Sequence, residues 1–486
     1  MISYEYINNE LETLHKLYWM QYWNHLVYNT TLYTKEMSLI RESAYSFFHN
    51  KEINNYIQHQ LFEASDEQNK RKFMLLSNYF SQKRVEYDEH LFNLVTQISD
   101  VMLNSSLVVE GERISVSDLW KKIGEARNKE EKDYYIKLKT SVFNEYKNVI
   151  VNIVRTRNEL SKNEGYESYV DLYFADKDID KKVLYKLIFD IKRDFMEQIK
   201  TSISEWQSIE SYNRKIEIFN YYFKKEKVYQ YLEYFFNQWG IHFKNLPIIL
   251  KDAGVSLKHH SSSECIPISI PDDVRIYVHA DKPNIDYYYT VFHEYGHALH
   301  ESNIRCDDYI FKMVPAWYSE AMASLSDKLL SMKESLMQVV TRQQDIEIIS
   351  SLNISERSDV KLGNVIGLLF EIGLYLREMT IEEIDTFYKD LIYDWVGEQP
   401  AKGEWGKYVI GIAKFPFIDA GYLLAQPLSN QIISYLRNRF GGYLKPEVFR
   451  YIVDNLYKNG IREPWYKIVE KSTGEQLNMK YLFSKY

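Results

Sequence analysis

The sequence predicts a mainly α-helical protein with one small β-sheet set just ahead of its chemically richest helix. All ten prolines lie at or after Pro247, and the residues before it include only Gly111, Gly124, Gly165 and Gly240 as glycines, so that half contains few helix breakers. Within it Leu184, Leu187, Ile188 and Ile191 recur at three and four, the spacing of a helix that buries one stripe. The texture then changes. Between Pro247 and Pro283 four prolines bracket short β-rich runs at 248–250, 265–270 and 274–279, which read as a small sheet beside its own edge.

Taken in order, residues 1–110 form an N-terminal helical region, and 111–486 a catalytic region containing the sheet (about 247–279), a metal-binding helix (285–301) and C-terminal helices. Residues 106–116 alternate β-branched with polar residues across Glu110-Gly111 and predict a small hairpin. No internal repeat or low-complexity linker interrupts the chain, and its 42 tyrosines are spread along it as packing residues.

Composition excludes several function classes. A net charge of −8 with interleaved signs offers no basic face, so neither nucleic acid nor an anionic membrane surface is expected as a partner. The longest apolar stretch, 365–376, is interrupted by Glu371 and too short to cross a bilayer, and the first dozen residues lack a basic region followed by an apolar run. Two cysteines, Cys265 and Cys306, are too few for a disulfide framework and fit a reducing compartment, so the expected location is cytoplasmic.

The chemistry begins at His293, in TVFHEYGHALHES. Asn284, after Pro283, is a candidate N-cap, and Ile285, Tyr289, Phe292, Gly296 and Leu299 form the expected buried stripe. His293 and His297 share another face: positions four apart differ by about 40° around the axis and ~6 Å along it, so both imidazoles can converge on one ion. A Zn²⁺ with two histidines and a third ligand keeps a position for water and lowers its pKa to about 7, leaving Glu294 to act as base rather than ligand. With 12 His and 42 Glu in 486 residues, chance yields HExxH roughly 0.03 times per chain of this composition.

The third ligand lies on another helix. Glu301 sits about 12 Å along the axis from His293, too far for three short metal bonds from one straight helix. No extension to a three-histidine pattern exists, since His300 and Asn303 occupy the relevant positions. Glu320, in the helix-favouring run YSEAMASLSDKLL, is the choice over Asp307 and Asp308, which fall in the connection. Asp327, seven residues on, is either an exposed helix charge or the partner that orients a ligand histidine.

HEYGHALH followed by SEAMASL resembles the zinc site of the thimet oligopeptidase and oligoendopeptidase F family of gluzincins, with a more distant similarity to the angiotensin-converting and Taq-type carboxypeptidases. RTRNELSKNEGYESYVDLYF, residues 155–174, is similar to a helix and turn that such proteins carry upstream. The resemblance implies two largely helical lobes around a deep substrate channel, one Zn²⁺ per chain held by His293, His297 and Glu320, and Glu294 as general base. It also implies a short peptide as substrate, paired with an edge strand for which 265–270 is the candidate.

The C-terminal segment departs from that family, which places a histidine and tyrosines there to stabilise the tetrahedral intermediate. No histidine follows His300. In EWGKYVIGIAKFPFIDAGYLLAQP, Tyr422 fits one tyrosine position and Tyr408 a looser one, with core packing the alternative for each and His279 or His300 as stand-ins for the missing donor. His259-His260 read as solvated loop residues, Glu382, Glu383 and Asp385 as a solvated helix face, and GEQPAKGEWGKY lacks the glycine spacing of a phosphate loop. The expected function is zinc-dependent hydrolysis of peptide bonds in short peptides. The alternatives are a dedicated processing enzyme for one precursor peptide or amide, and a non-catalytic zinc-containing peptide-binding protein. Oligomeric state is not legible.

Overall fold

The computed structural model describes residues 2–28, 33–109, 111–126, 129–197, 209–253, 263–279, 284–352, 358–397, 399–400 and 403–482. It is mainly α-helical with two small sheets. The elements that matter below are, in chain order, helix α1 (Tyr4–Tyr28), strands β1 (Ser106–Val109) and β2 (Glu112–Ser115), helices α2 (Lys147–Asn163) and α3 (Tyr169–Asp176), strands β3 (Ile248–Ala253), β4 (Glu264–Ser269) and β5 (Asp273–His279), and helices α4 (Asn284–Glu301), α5 (Ala316–Asp327), α6 (Ser358–Leu376) and α7 (Ile418–Phe440). Among the described residues no single helix is long and apolar enough to cross a membrane.

The chain divides into two compact units, each assembled from separate stretches: one from Met1–Ser77, Tyr212–Glu356 and Leu424–Tyr486, the other from Asn78–Ser211 and Arg357–Leu423. In the second unit β1 and β2 pair antiparallel, Gly111 taking the left-handed conformation (φ 87°) that the tight connection needs. The Ser115 side chain then caps the next helix in a box with Asp118. This unit also holds a buried polar knot. Arg157 on α2 donates to the Tyr375 hydroxyl at 2.9 Å and to the carbonyls of Ile412 and Ala413 at 2.5 and 2.7 Å. Glu371 on α6 accepts the Phe417 N–H at 2.8 Å, so a buried guanidinium and a buried carboxyl fix the 412–417 turn from either side. Burial pushes the Glu371 carboxyl up to about 8, against the Phe417 hydrogen bond and the Arg157 charge.

In the first unit β5 is the central strand. It runs parallel to β3 and antiparallel to β4, giving the order β3-β5-β4. The β-rich runs of the sequence thus form one sheet, and β4 lies at its edge. Alternation along β4 sends Ile266 and Ile268 into a cluster with Trp23 and Leu26 of α1 and Tyr277 of β5, while α4 packs on β4 and β5 as well. Pro267 supplies no N–H, and its carbonyl accepts from the His15 ring of α1 at 2.7 Å. The sequence reading gives α4 one buried stripe. The structure instead buries it nearly all round, with Tyr287, Tyr288, Val291, Tyr295 and Ala298 enclosed as well as Ile285, Phe292 and Leu299, because the sheet and α5 both pack against it. Tyr289 is only partly buried, Asn284 is tied by its side chain to the Phe223 carbonyl and to Asn220, and Pro283 lies outside the described residues.

Candidate metal centre

Helices α4 and α5 pack in backbone contact, and Gly296 is why they can. A Cβ at this position would collide with the backbone of Ala323, so the two helices touch without a side chain between them. The approach brings Glu320, on α5, to the histidine face of α4. The Nε2 atoms of His293 and His297 lie 3.1 Å apart with their rings nearly perpendicular, and the Glu320 carboxylate reaches both, at 3.1 Å from His293 and 3.5 Å from His297. One ligand atom from each of the three residues lies within 4.8 Å of the others.

The outer nitrogens define how the rings are held. His293 Nδ1 sits 2.8 Å from Asp327 Oδ2 and His297 Nδ1 2.9 Å from Ser319 Oγ. A carboxylate only accepts, so His293 donates from Nδ1 to Asp327 and turns Nε2 inward; the Nδ1 proton is assigned from the hydrogen bonds. Two imidazole nitrogens and a carboxylate converging on one point match the donor set of a Zn²⁺ site, and the residues fit that ion. Burial opposes charge on His293, but Asp327 and Glu320 outweigh it and hold the imidazole well above its ordinary range. Burial likewise raises Glu320, and the two histidines overcome it, keeping the carboxyl well below the usual carboxylate range.

Glu294 is 8% exposed and lies close enough to feel the charges of His293, His297 and Glu320. Burial pushes its carboxyl up, against the pull of His297 and His293 and of a hydrogen bond from the Cys265 backbone on β4. The edge strand therefore touches Glu294 directly.

The remaining candidates are placed elsewhere. Asp308 accepts from the Tyr4 hydroxyl at 2.6 Å and lies 3.5 Å from Lys72, so it ties α1 down. His300 is fully buried with no hydrogen-bond partner for either ring nitrogen among the described residues, and burial drives its pKa down to about 3. It is a neutral packing residue against Tyr457, not a stand-in donor. His279, at the end of β5, is partly buried, and its backbone N–H donates to Ser263. Tyr422, on α7, is 45% exposed, whereas Tyr408 is partly buried with its ring against Phe370 and Tyr388. Glu383 caps its own helix at Thr380 and Asp385 accepts from Trp405, so neither belongs to a dyad. His259 and His260 lie outside the described residues. Sequence reasoning missed Ser319 as a partner of His297. Its one available signal was its place directly before Glu320.

No protein-family model matches the chain, and no curated protein matches it. Solved structures do match. Metallocarboxypeptidase 1 of Trypanosoma cruzi aligns over 99% of this chain and 97% of its own, with a TM-score of 0.64 and 12% identity. This chain shares the fold of that metallocarboxypeptidase. At such low identity the likeness speaks for the architecture, and the centre is argued from its own geometry.

Proposed function

We propose that the protein is a zinc-dependent peptidase acting on short peptides. The observation that carries the reading is the convergence of two oriented imidazole nitrogens and the Glu320 carboxylate beside the buried carboxyl of Glu294. When bound, Zn²⁺ supplies Lewis acidity that polarises a carbonyl and acidifies water. Glu294, raised by burial, takes a proton from the attacking water and returns it to the departing amine nitrogen. Asp327 holds His293 in one tautomer throughout. The family resemblance expects an oxyanion donor at Tyr422, which belongs to the second unit and is 45% exposed.

Two observations bear on the mode of cleavage. The motif resembles oligopeptidases that cut internally, while the structural neighbour is by its name a carboxypeptidase. The experiment that decides is digestion of mixed short peptides by zinc-loaded protein, with and without chelator, read by mass spectrometry. Ladders shortened one residue at a time from the carboxyl end identify exopeptidase action, and internal cuts oligopeptidase action. A single cleaved peptide points to a dedicated processing enzyme. Peptides retained but uncut in the presence of zinc would overturn the proposal in favour of a binding protein.

A further inference from the structure

The register of β4 settles which of its backbone groups face outward. Pro267 has no N–H, and its carbonyl accepts from His15 Nε2 at 2.7 Å, so its backbone points away from β5. In an antiparallel ladder residues two apart share that direction, and Cys265 therefore faces outward as well. The two positions differ. Cys265 lies where α4 packs on the strand, against Glu294. Pro267, about 7 Å further along, is closed in both senses, since it has no donor and its acceptor is filled. Past the irregularity between Pro267 and Ser269, the Ile270 carbonyl is taken as well, by Lys312 Nζ at 3.0 Å.

The ring that closes Pro267 is itself held. A carbonyl only accepts, so His15 Nε2 carries the proton, assigned from this bond. The imidazole stands edge-on to Trp19 and Tyr309, with centroids 6.0 and 5.5 Å away. Helix α1, which carries it, is fastened at three further points: the Tyr4 hydroxyl donates to Asp308 at 2.6 Å, the Asn8 side chain accepts the Tyr309 N–H at 2.6 Å, and the Tyr22 hydroxyl donates to Glu264 at 2.8 Å. We propose that His15 is a length gauge for the substrate: a peptide that pairs with β4 at Cys265 meets no backbone partner at Pro267, so the strand favours chains that end within about two residues on that side. The inference rests on the peptidase reading and adds to it a substrate class, peptides with one short arm. An extended peptide bonds to an edge strand at every second residue, and each neutral hydrogen bond not made forgoes about 2- to 10-fold in affinity.

The test is kcat/KM of the zinc-loaded full chain on peptides built around one cleaved bond and lengthened a residue at a time, from the amino end in one series and the carboxyl end in the other. Urea unfolding of each variant runs beside it. In the parent, kcat/KM should stop rising at about the second residue on one of the two sides. His15→Ala uncovers the Pro267 carbonyl and should extend the rise on that side by about 2- to 10-fold. Pro267→Ala supplies the missing N–H without touching α1 and should extend it likewise. His15→Gln, whose amide can donate to the same carbonyl, should keep the parent's profile. A steady rise on both sides in the parent overturns the gauge while the peptidase reading stands. So does a parent-like profile in folded His15→Ala and Pro267→Ala, the result expected if His15 only holds α1 in place. Zinc-loaded parent that cuts no peptide overturns the reading beneath it and the gauge together.

Discussion

Gly296 on α4 and Ala323 on α5 meet backbone to backbone, at a separation that leaves no volume for a methyl group. The three candidate ligands depend on this contact, because His293 and His297 stand on one helix and Glu320 on the other. Gly296→Ala gains helix propensity of about 1 kcal/mol but forces backbone atoms apart, and overpacking of this kind costs about 1–3 kcal/mol or more. The variant should be less stable in urea and bind zinc more weakly. Equal or greater stability with unchanged zinc affinity would show that α4 and α5 have slack at this point.

Metal content separates the ligands from the base. Purified protein should carry about one zinc per chain by elemental analysis, and His293→Ala or His297→Ala should lose it. Glu320→Gln should weaken the ion's binding, whereas Glu294→Gln should keep zinc and lose activity by at least the ~10²–10⁴-fold that general acid–base catalysis typically provides. Release of zinc by Glu294→Gln, with retention by Glu320→Gln, would reverse the two roles.

Tyr422 is tested by removing one oxygen. Its ring is half exposed, so Tyr422→Phe should leave unfolding and zinc content as they are. The kcat should fall by about one to three orders of magnitude with a smaller change in KM, the signature of an interaction that strengthens as charge develops. An unchanged kcat on a good substrate removes the role.

Glu371 gives the pH dependence a definite sign. Its folded-state pKa, about 8, lies above the ordinary carboxyl value of 4.5, so the folded chain holds a proton that the unfolded chain releases. The stability it contributes is complete below about pH 4.5 and is lost as pH rises through 8, at up to ~1.4 kcal/mol per pH unit. Between pH 5.5 and 8 this amounts to about 3 kcal/mol. Glu371→Gln should flatten the fall in urea-unfolding stability over that interval. An identical slope in the variant would place the proton elsewhere.

What could be read beforehand follows from how local each feature is. The pairing of His293 with His297 is a matter of helical period, and Glu320 could be chosen because α5 announces itself by composition. The role of Ser319 could not be read in the same way, since a serine next to a glutamate has no pattern until the crossing of two helices shows which way it faces. Gly296 was legible as a buried position but not as the contact that sets the spacing, which needs Ala323 opposite. The compact units draw on separate stretches from both ends and the middle of the chain, and no linker-like sequence marks those crossings. The strand order β3-β5-β4 was equally hidden, because the order of three short runs along a chain does not say which one lies in the centre.

The edge of β4 bears on how the protein behaves in a crowded solution. An open strand is a template on which another chain can build, and unprotected edges invite runaway association of sheets. Here Pro267 removes one donor from the rim, the ring of His15 covers the carbonyl beside it, and the backbone of Cys265 is engaged by Glu294. A second sheet cannot extend along β4 without displacing α1, while a short segment could still contest the single position at Cys265. The devices that leave so little of this rim available also guard the molecule against self-aggregation, and loosening α1 should be felt first as a loss of solubility.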